Sequence, residues 1–488
     1  MEIRGISLSN GQSSVNSGFL LFDRGDYNPM MKKSIQKTVV FSLILILGLN
    51  MASEHSIIFT SAKENTFGLE EPKGIRLNIP DDPRSSMAIS WFTYEFTETD
   101  INFGLSLGNL NQTNSFFTDT ELVKDTYIHH IVLKNLSTNT TYFYQIGGPT
   151  SGWSDVYSFT TAPERNASSL HFIAYGDNRS DREIRRLINR AILQNSSSYH
   201  SEPIQFIMHM GDMVTRGEEH DLFNDYFDDS QMLHESIPLL PIQGNHEIGN
   251  LGKSYYREQF VLPENGNAEW YWALQYGSVF IMGLDSEAHG IIPYDTQSIP
   301  WMDSMLQKSH EDLSTLWRFA FFHQPPFVSS SHMPRIDIRD SWSPIFGDND
   351  VDVVFNGHCH LYERSFPVSS NETLSSRERY NYNDPDYPIY IVTGAAGRGG
   401  PIDRLPDREN EYMVFSNFTW HYVDVFISNN LTNQKSTLMA NVVGIIPQYF
   451  SNGSLNEFDL SHTVLLDNFT ITKNIPGGWP ESVQNVIY

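Results

Sequence analysis

Cysteine is all but missing from the 488-residue chain, which has one, Cys359. An internal disulfide is therefore excluded, and so is a cysteine-rich zinc module. Basic residues are scarce as well. Lys and Arg number 32 against 58 Asp and Glu, a formal net charge of −26. Such a surface repels phosphate backbones, which argues against a general nucleic-acid scaffold. Beyond the first 50 or so residues there is no apolar run of the about 20 residues that a bilayer-spanning helix needs. What the chain does have is a 40% hydrophobic and 13% aromatic content, which excludes bulk disorder and can fill large cores. Its length predicts two or three domains.

The apolar run near the N-terminus reads as a targeting element. Lys32, Lys33 and Lys37 precede Val39–Leu49, and small residues follow at Ala52 and Ser53. A basic flank, a short apolar stretch and small residues are the layout of an export signal over about 31–53, or of an uncleaved N-terminal anchor. Translation is expected to start at Met30 or Met31. The expected location is secreted or extracellular. Sequons at Asn111, Asn135, Asn139, Asn166, Asn195, Asn371, Asn417, Asn430, Asn452 and Asn468 suit a glycosylated surface, and an eleventh, Asn178, is expected to stay unmodified.

Residues 1–62 form an N-terminal extension. From 70 to 163 the pattern is all-β, in short alternating runs such as GIRLNIP, MAISWFTYE, YIHHIVLKNL and TTYFYQIGG. The piece LKNLSTNTTYFYQIG resembles the tyrosine corner of fibronectin type III-like sandwiches, which makes Tyr142 and Tyr144 structural. The pattern changes after Pro163. Over 168–475, buried strands (SLHFIAYGD, PIQFIMHMGD, IPLLPIQGNHE, LWRFAFFHQPP, DVDVVFNGHCH) alternate with helical stretches. One begins at Ser180 or Asp181 and another covers about 218–233. This is an α/β layered core. Strands are expected at 388–397, 420–428, 436–444 and 463–473, a polar surface loop at 367–388, and a tail at 476–488.

The chemistry sits at strand ends. Successive buried strands end in Gly176-Asp177-Asn178-Arg179, Gly211-Asp212, Gly244-Asn245-His246-Glu247, His323-Gln324 and Gly357-His358-Cys359-His360. In open α/β sheets ligands bind beyond the carboxyl ends of the strands. Carboxylates, an amide oxygen and imidazoles suit Fe, Mn or Zn. A single such residue is more often a capping Asp, a turn Asn or a core histidine; the ordered set, each on a strand end, carries the signal. Cys359 is read as buried and facing away from its histidine neighbours, and Arg398 as part of a glycine-rich turn.

With these residues in view, the chain resembles the calcineurin-like metallophosphoesterases, and within them the purple acid phosphatase-like branch. The resemblance is carried by the ordered set, by GHCHLYERSFP, by TYIHHIVLKNLSTNTTYFYQIG and by YIVTGAAGRGG, and spans roughly 70–473. It implies an α/β layered metallophosphoesterase sandwich preceded by a fibronectin type III-like β-sandwich. It implies two divalent or trivalent metal ions, with Asp177 and His360 on the first, Asp212 bridging, and Asn245, His323 and His358 on the second. His246 would assist the leaving group. His332, nine residues after His323, stands where plant members have a substrate-facing histidine.

Two positions depart from the family. Thr215 stands where purple members have a metal-binding tyrosine, and Arg179 where many non-purple relatives have a metal-binding histidine. The first metal thus lacks both side-chain options, and Arg179 is a candidate phosphate contact, or a salt-bridge partner for a nearby carboxylate. The expected activity is acid phosphatase-like phosphomonoester hydrolysis of a small substrate, by in-line attack of a metal-bound hydroxide. The alternatives are a phosphodiesterase or nucleotidase using the same site, and a surface adhesion or scaffold protein whose metal site is vestigial.

Overall fold

The computed structural model describes residues 68–111, 116–249, 254–267, 269–287, 298–330, 332–398, 411–449, 455–456, 463–477 and 479. The expected export segment, Asn452 and most of the 476–488 tail lie outside these residues. Among the described residues no helix is long and apolar enough to cross a membrane. Asn135, Asn139, Asn166, Asn371, Asn430 and Asn468 are exposed, whereas Asn178 is fully buried.

The first part is a β-sandwich built from β1 (Lys73–Asn78), β2 (Met87–Thr93), β3 (Asp100–Gly104), β4 (Phe116–Val123), β5 (Thr126–Leu133), β6 (Thr141–Gly148), β7 (Gly152–Trp153) and β8 (Tyr157–Thr160). One sheet runs β1-β2-β5-β4; the other runs β3-β6-β7, with β8 also paired to β6. Strand β4 was not anticipated. Its sequence, FFTDTELV, has one continuous polar run between two apolar pairs and no alternation. Between the sheets lie Ile89, Trp91, Ile131, Tyr142, Tyr144 and Phe159. The Tyr142 hydroxyl accepts the Ser137 N–H at 2.9 Å and so pins the preceding turn.

Strand β2 is buried at all seven positions, which breaks the half-exposed pattern of a surface sheet. The reason is that its second face is covered by the following layers, where Phe92 joins the larger core. Buried Arg76 on β1 lies 3.9 Å from the Phe227 ring centroid, and its Nε donates to the Gln259 carbonyl at 2.9 Å. His130 on β5 sits between Ser90 Oγ (2.7 Å) and the Glu258 carbonyl (3.1 Å).

The second part begins with β9 (Ser169–Tyr175), α1 (Arg182–Tyr199), β10 (Phe206–His209), α2 (His220–His234), β11 (Leu239–Pro241), β12 (Trp272–Tyr276), β13 (Val279–Gly283) and α3 (Ser298–Glu311). It continues with β14 (Trp317–Phe322), α4 (Ile336–Ser341), α5 (Ser343–Asp348), β15 (Val353–Asn356), β16 (Tyr362–Ser365), β17 (Asn381–Asn383), β18 (Ile389–Thr393), β19 (Met413–Asn417), β20 (Trp420–Asn430), β21 (Lys435–Ile445) and β22 (Thr463–Asn474). Two mixed sheets of seven strands result, β11-β10-β9-β20-β21-β22-β17 and β12-β13-β14-β15-β18-β16-β19. Phe172 of the first meets Phe319 and Phe355 of the second between them. Outside, α1 packs Ile184, Leu187 and Ile188 on the first sheet, and α3 packs Met302 and Met305 with the second. Asp181 caps α1, its Oδ1 accepting the N–H groups of Glu183 and Ile184 at 3.1 Å each.

Several elements of this part escape the sequence pattern, α4, α5, β16 and β19 among them. The β12–β13 hairpin turns at Gly277, which has φ +55°, and both its strands are buried throughout, so no alternation marks them. Helix α3 carries Pro300 in its first turn, where a missing N–H is tolerated. The stretch read as loop, 367–388, contains β17, of which only Tyr382 is buried.

The two sheets are tied across the core by several buried polar contacts, one of them at Asp467. Asp467 on β22 accepts from Tyr362 Oη (2.8 Å) and from Arg364 Nε (2.7 Å) and Nη2 (3.1 Å), both on β16. Two residues of the family-like segment YER are thus a clamp remote from chemistry. Removing one partner of a buried pair leaves the other uncompensated. Asp467→Ala is therefore expected to lower unfolding free energy by about 3–5 kcal/mol, measured by denaturant titration.

Burial first, then the Arg76 charge, pushes His130 down to about 3. The unfolded histidine titrates near ~6.5. The folded state therefore takes up its proton later than the unfolded one. The stability this group contributes is whole above pH ~6.5 and declines as pH falls from ~6.5 to ~3, at about 1.4 kcal/mol per pH unit. His130→Asn is expected to flatten the stability–pH curve by about that slope, read from unfolding at a series of pH values.

Candidate metal centre

Five strand ends from both sheets meet at one rim. Asp177 follows β9, Asp212 follows β10, Asn245 follows β11, His323 follows β14, and His358 and His360 follow β15. The chain turns sharply to deliver them: Asp177, Asp212 and His358 have φ of 57°, 58° and 67°, a left-handed backbone that costs a non-glycine residue about 1–2 kcal/mol. Gly357 is required by proximity, since a Cβ there would lie 2.5 Å from Asp177 Oδ2 and 2.8 Å from the Met210 carbonyl.

The donors converge as follows. His323 Nδ1 lies 2.7 Å from the Met210 carbonyl, so that nitrogen carries the proton and donates. Burial holds the ring below its ordinary range, which keeps it neutral. Its Nε2 therefore presents a lone pair, and it lies 3.0 Å from Asn245 Oδ1 and 3.3 Å from Asp212 Oδ1. His358 Nδ1 lies 2.9 Å from the same Asn245 oxygen. Lone pairs facing one another without a proton between them repel. A cation removes that repulsion, so this set fits a metal ion.

The neighbouring set is different. Asp177 Oδ1 is buried without a hydrogen-bond donor and lies 3.6 Å from His360 Nε2. Burial first, then the Asp212 charge, pushes the Asp177 carboxyl well above its usual range. Asp212 is buried too, which raises its carboxyl, yet the Arg179 charge and the His246 N–H help to hold it at about 2. Arg179 lies within this set: its Nε donates to Asp212 Oδ2 at 2.9 Å, and its Nη2 is 3.2 Å from His360 Nε2. Of the two readings of Arg179, the salt bridge is the contact present.

His246 hangs over the centre. Its N–H donates to Asp212 Oδ1 at 3.1 Å, its Nδ1 donates to the Thr215 carbonyl at 2.7 Å, and its Nε2 lies 3.9 Å from Asp212 Oδ2. The position of the absent tyrosine thus supplies a backbone acceptor that orients His246. The His332 ring stands 4.9 Å from that of His358 and 5.8 Å from that of His360. Cys359 is buried with Val328, Leu361 and Val392, and the Arg398 N–H donates to the Asp177 carbonyl at 2.7 Å. A second group, His171, His200 and Asp424, lies on the α1 side and is not part of this centre.

Glu247 was missed in the sequence, although it completes GNHE. Its carboxylate accepts the N–H groups of Asp212 (2.7 Å), Gly244 (2.7 Å) and Val214 (3.0 Å), fixing both turns at once. Glu363 does similar work behind His323 and His332, accepting the Ser329 N–H at 2.8 Å.

Comparison with known proteins identifies relatives of both parts of the chain. The calcineurin-like phosphoesterase family matches residues 154–362, and the purple acid phosphatase N-terminal domain matches residues 72–161. Together they span more than half of the chain. The chain thus carries a purple acid phosphatase N-terminal domain followed by a calcineurin-like phosphoesterase domain. Acid phosphatase type 7 of Homo sapiens is 23% identical over 369 residues, covering 70% of this chain and 82% of the human protein. Purple acid phosphatase 15 of Arabidopsis thaliana is 26% identical, covering 67% of this chain and 68% of its own. The purple acid phosphatase PPD1 from yellow lupin (Lupinus luteus) seeds matches in structure with a TM-score of 0.65 at 17% identity, covering 86% of this chain and 76% of its own. The protein is accordingly a phosphatase-type hydrolase dependent on metal.

A carboxylate that holds two ligand-bearing turns acts on metal affinity through them. Glu247→Gln replaces an all-acceptor group by one carrying an NH2, which faces N–H donors. Metal affinity is expected to fall about ten- to hundredfold, measured by competition with a chromophoric chelator.

Proposed function

We propose that the protein is an exported, glycosylated phosphomonoesterase acting on small phosphate esters. The observation that carries this is the unprotonated His323 Nε2 facing the oxygens of Asn245 and Asp212, a cradle for a cation. Asp212, Asn245, His323 and His358 would hold it, and Asp177, Asp212 and His360 are the donors that the family resemblance assigns to a companion. Fe, Mn or Zn suits these ligands. A cation bound in the cradle would supply Lewis acidity toward phosphoryl oxygens and lower the pKa of a water.

The chain's own residues account for the rest. Met210 and Thr215 carbonyls fix the tautomers of His323 and His246, leaving both Nε2 atoms toward the centre. His246, partly exposed, is placed to give the departing ester oxygen a proton from Nε2, once the ring has taken one up as imidazolium. His332 lies on the outer side, over His358 and His360, where it would meet the phosphate or its substituent. Arg179 adds positive charge beside Asp212, which offsets the chain's acidity locally.

A phosphodiesterase or nucleotidase would use the same donors, and a substrate panel separates them. Reconstituted protein is expected to hydrolyse an aryl monophosphate at least ~100-fold faster than the bis-aryl diester, a difference of about 2.7 kcal/mol in transition-state binding. Asp212→Ala is expected to lose metal and at least ~1000-fold in kcat/KM. Wild-type turnover in that variant would remove the reading; wild-type protein with neither metal nor activity would favour a scaffold.

A further inference from the structure

Two of the three donors expected for the first cation are already engaged from within the chain. We propose that the Arg179 guanidinium is a resident cation standing in for the first metal, so that the centre takes one exchangeable metal ion. This rests on the reading of the site as a metal-dependent hydrolase and adds to it the number of ions.

Arg179 follows Asp177 by two residues, and its side chain is 11% exposed. It donates through Nε to Asp212 Oδ2, the oxygen a bridging carboxylate would turn toward the first ion. Its Nη2 donates to His360 Nε2 at 3.2 Å, which uses the lone pair that a metal would need. Nη1 donates to Ser180 Oγ at 3.1 Å, which anchors the planar group from its far side. Two of the three donors for the first ion therefore already face a cation. A guanidinium cannot lose its charge in a protein. A divalent ion in the same place would meet a like charge within a few ångströms, with its two ligands engaged.

The sequence agrees independently. The family's two additional side-chain ligands for this ion are both absent, Thr215 replacing the tyrosine and Arg179 itself the histidine. The second set shows the opposite: among its contacts, His323 Nε2, Asn245 Oδ1 and Asp212 Oδ1 crowd together with no cationic side chain between them. One position has its positive charge built in, and the other needs it supplied.

The test counts ions. Full-length protein is stripped with chelator, reconstituted with Mn2+, and its bound manganese measured by elemental analysis and by electron paramagnetic resonance. Arg179→His is expected to bind one equivalent more than wild type and to show the spectrum of two exchange-coupled ions, where wild type shows an isolated one. Because the count is a difference, any ion at His171, His200 and Asp424 cancels. Should Arg179→His not fold, Arg179→Ala must gain the second equivalent at higher Mn2+, since Asp177, Asp212 and His360 are then uncovered. A coupled pair in wild type, lost in Asp212→Ala, or no gain in either variant, overturns the proposal and leaves the hydrolase reading intact. No bound ion in any form overturns the hydrolase reading itself.

Discussion

The arrangement depends on one carboxylate. Asp212 is buried, sits on a left-handed turn and still stays ionised, because its surroundings supply a positive charge and a backbone N–H. His246 donates through its backbone, Arg179 through its guanidinium, and His323 faces it across 3.3 Å. Its own N–H is taken by Glu247. These partners come from the ends of strands β9, β11 and β14, which belong to two different sheets. The centre exists only where the sheets are held in register with one another.

That requirement gives the remote parts of the fold their purpose. Crowding Asp177 against Asp212 and bending three residues into the left-handed region both cost free energy locally, and rigid packing elsewhere has to offset it. The Arg364–Asp467 clamp joins β16 to β22 across the core. The sandwich contributes from outside. Tyr144 on β6 donates to the Glu235 carbonyl at the end of α2, and Asn78 on β1 donates to the Leu239 carbonyl at the start of β11. Strand β11 leads directly to Asn245. The N-terminal sheet thus braces the strand that carries a ligand, which explains why β2 is buried on both faces.

The rim was legible in the sequence because its marks are local. A buried hydrophobic run followed by Gly-Asp, Gly-Asn-His or Gly-His-X-His states both the strand and the residue at its end. Asp181 capping α1 was legible for the same reason. The β12–β13 hairpin and β4 were not, since a strand covered on both faces, or one with mixed polarity, loses the period of two. Glu247 was in plain view but carried no role, because what it does is decided by contacts with Asp212 and Val214, some 35 residues earlier. Tyr362 and Arg364 show the converse: they resemble a family motif, yet they serve the core through a partner about a hundred residues later.

Arg179 lies between these cases. The sequence shows that a ligand is missing at its position, but not what fills the gap, since an arginine can extend toward solvent, substrate or a carboxylate. The contacts choose the carboxylate, and charge then constrains the chemistry. Two ionised carboxylates with two divalent ions give a centre a net charge of about +2, the usual balance for receiving a phosphate dianion. Adding a guanidinium to that would raise it to about +3 in a buried space, with no further acceptor to balance it. Replacing one ion by the guanidinium gives about +1 instead, and the incoming phosphate completes rather than reverses the balance. A substitution that removes a metal ligand can therefore leave a working electrostatic site, provided that the replacing side chain carries the charge the ligand was there to hold.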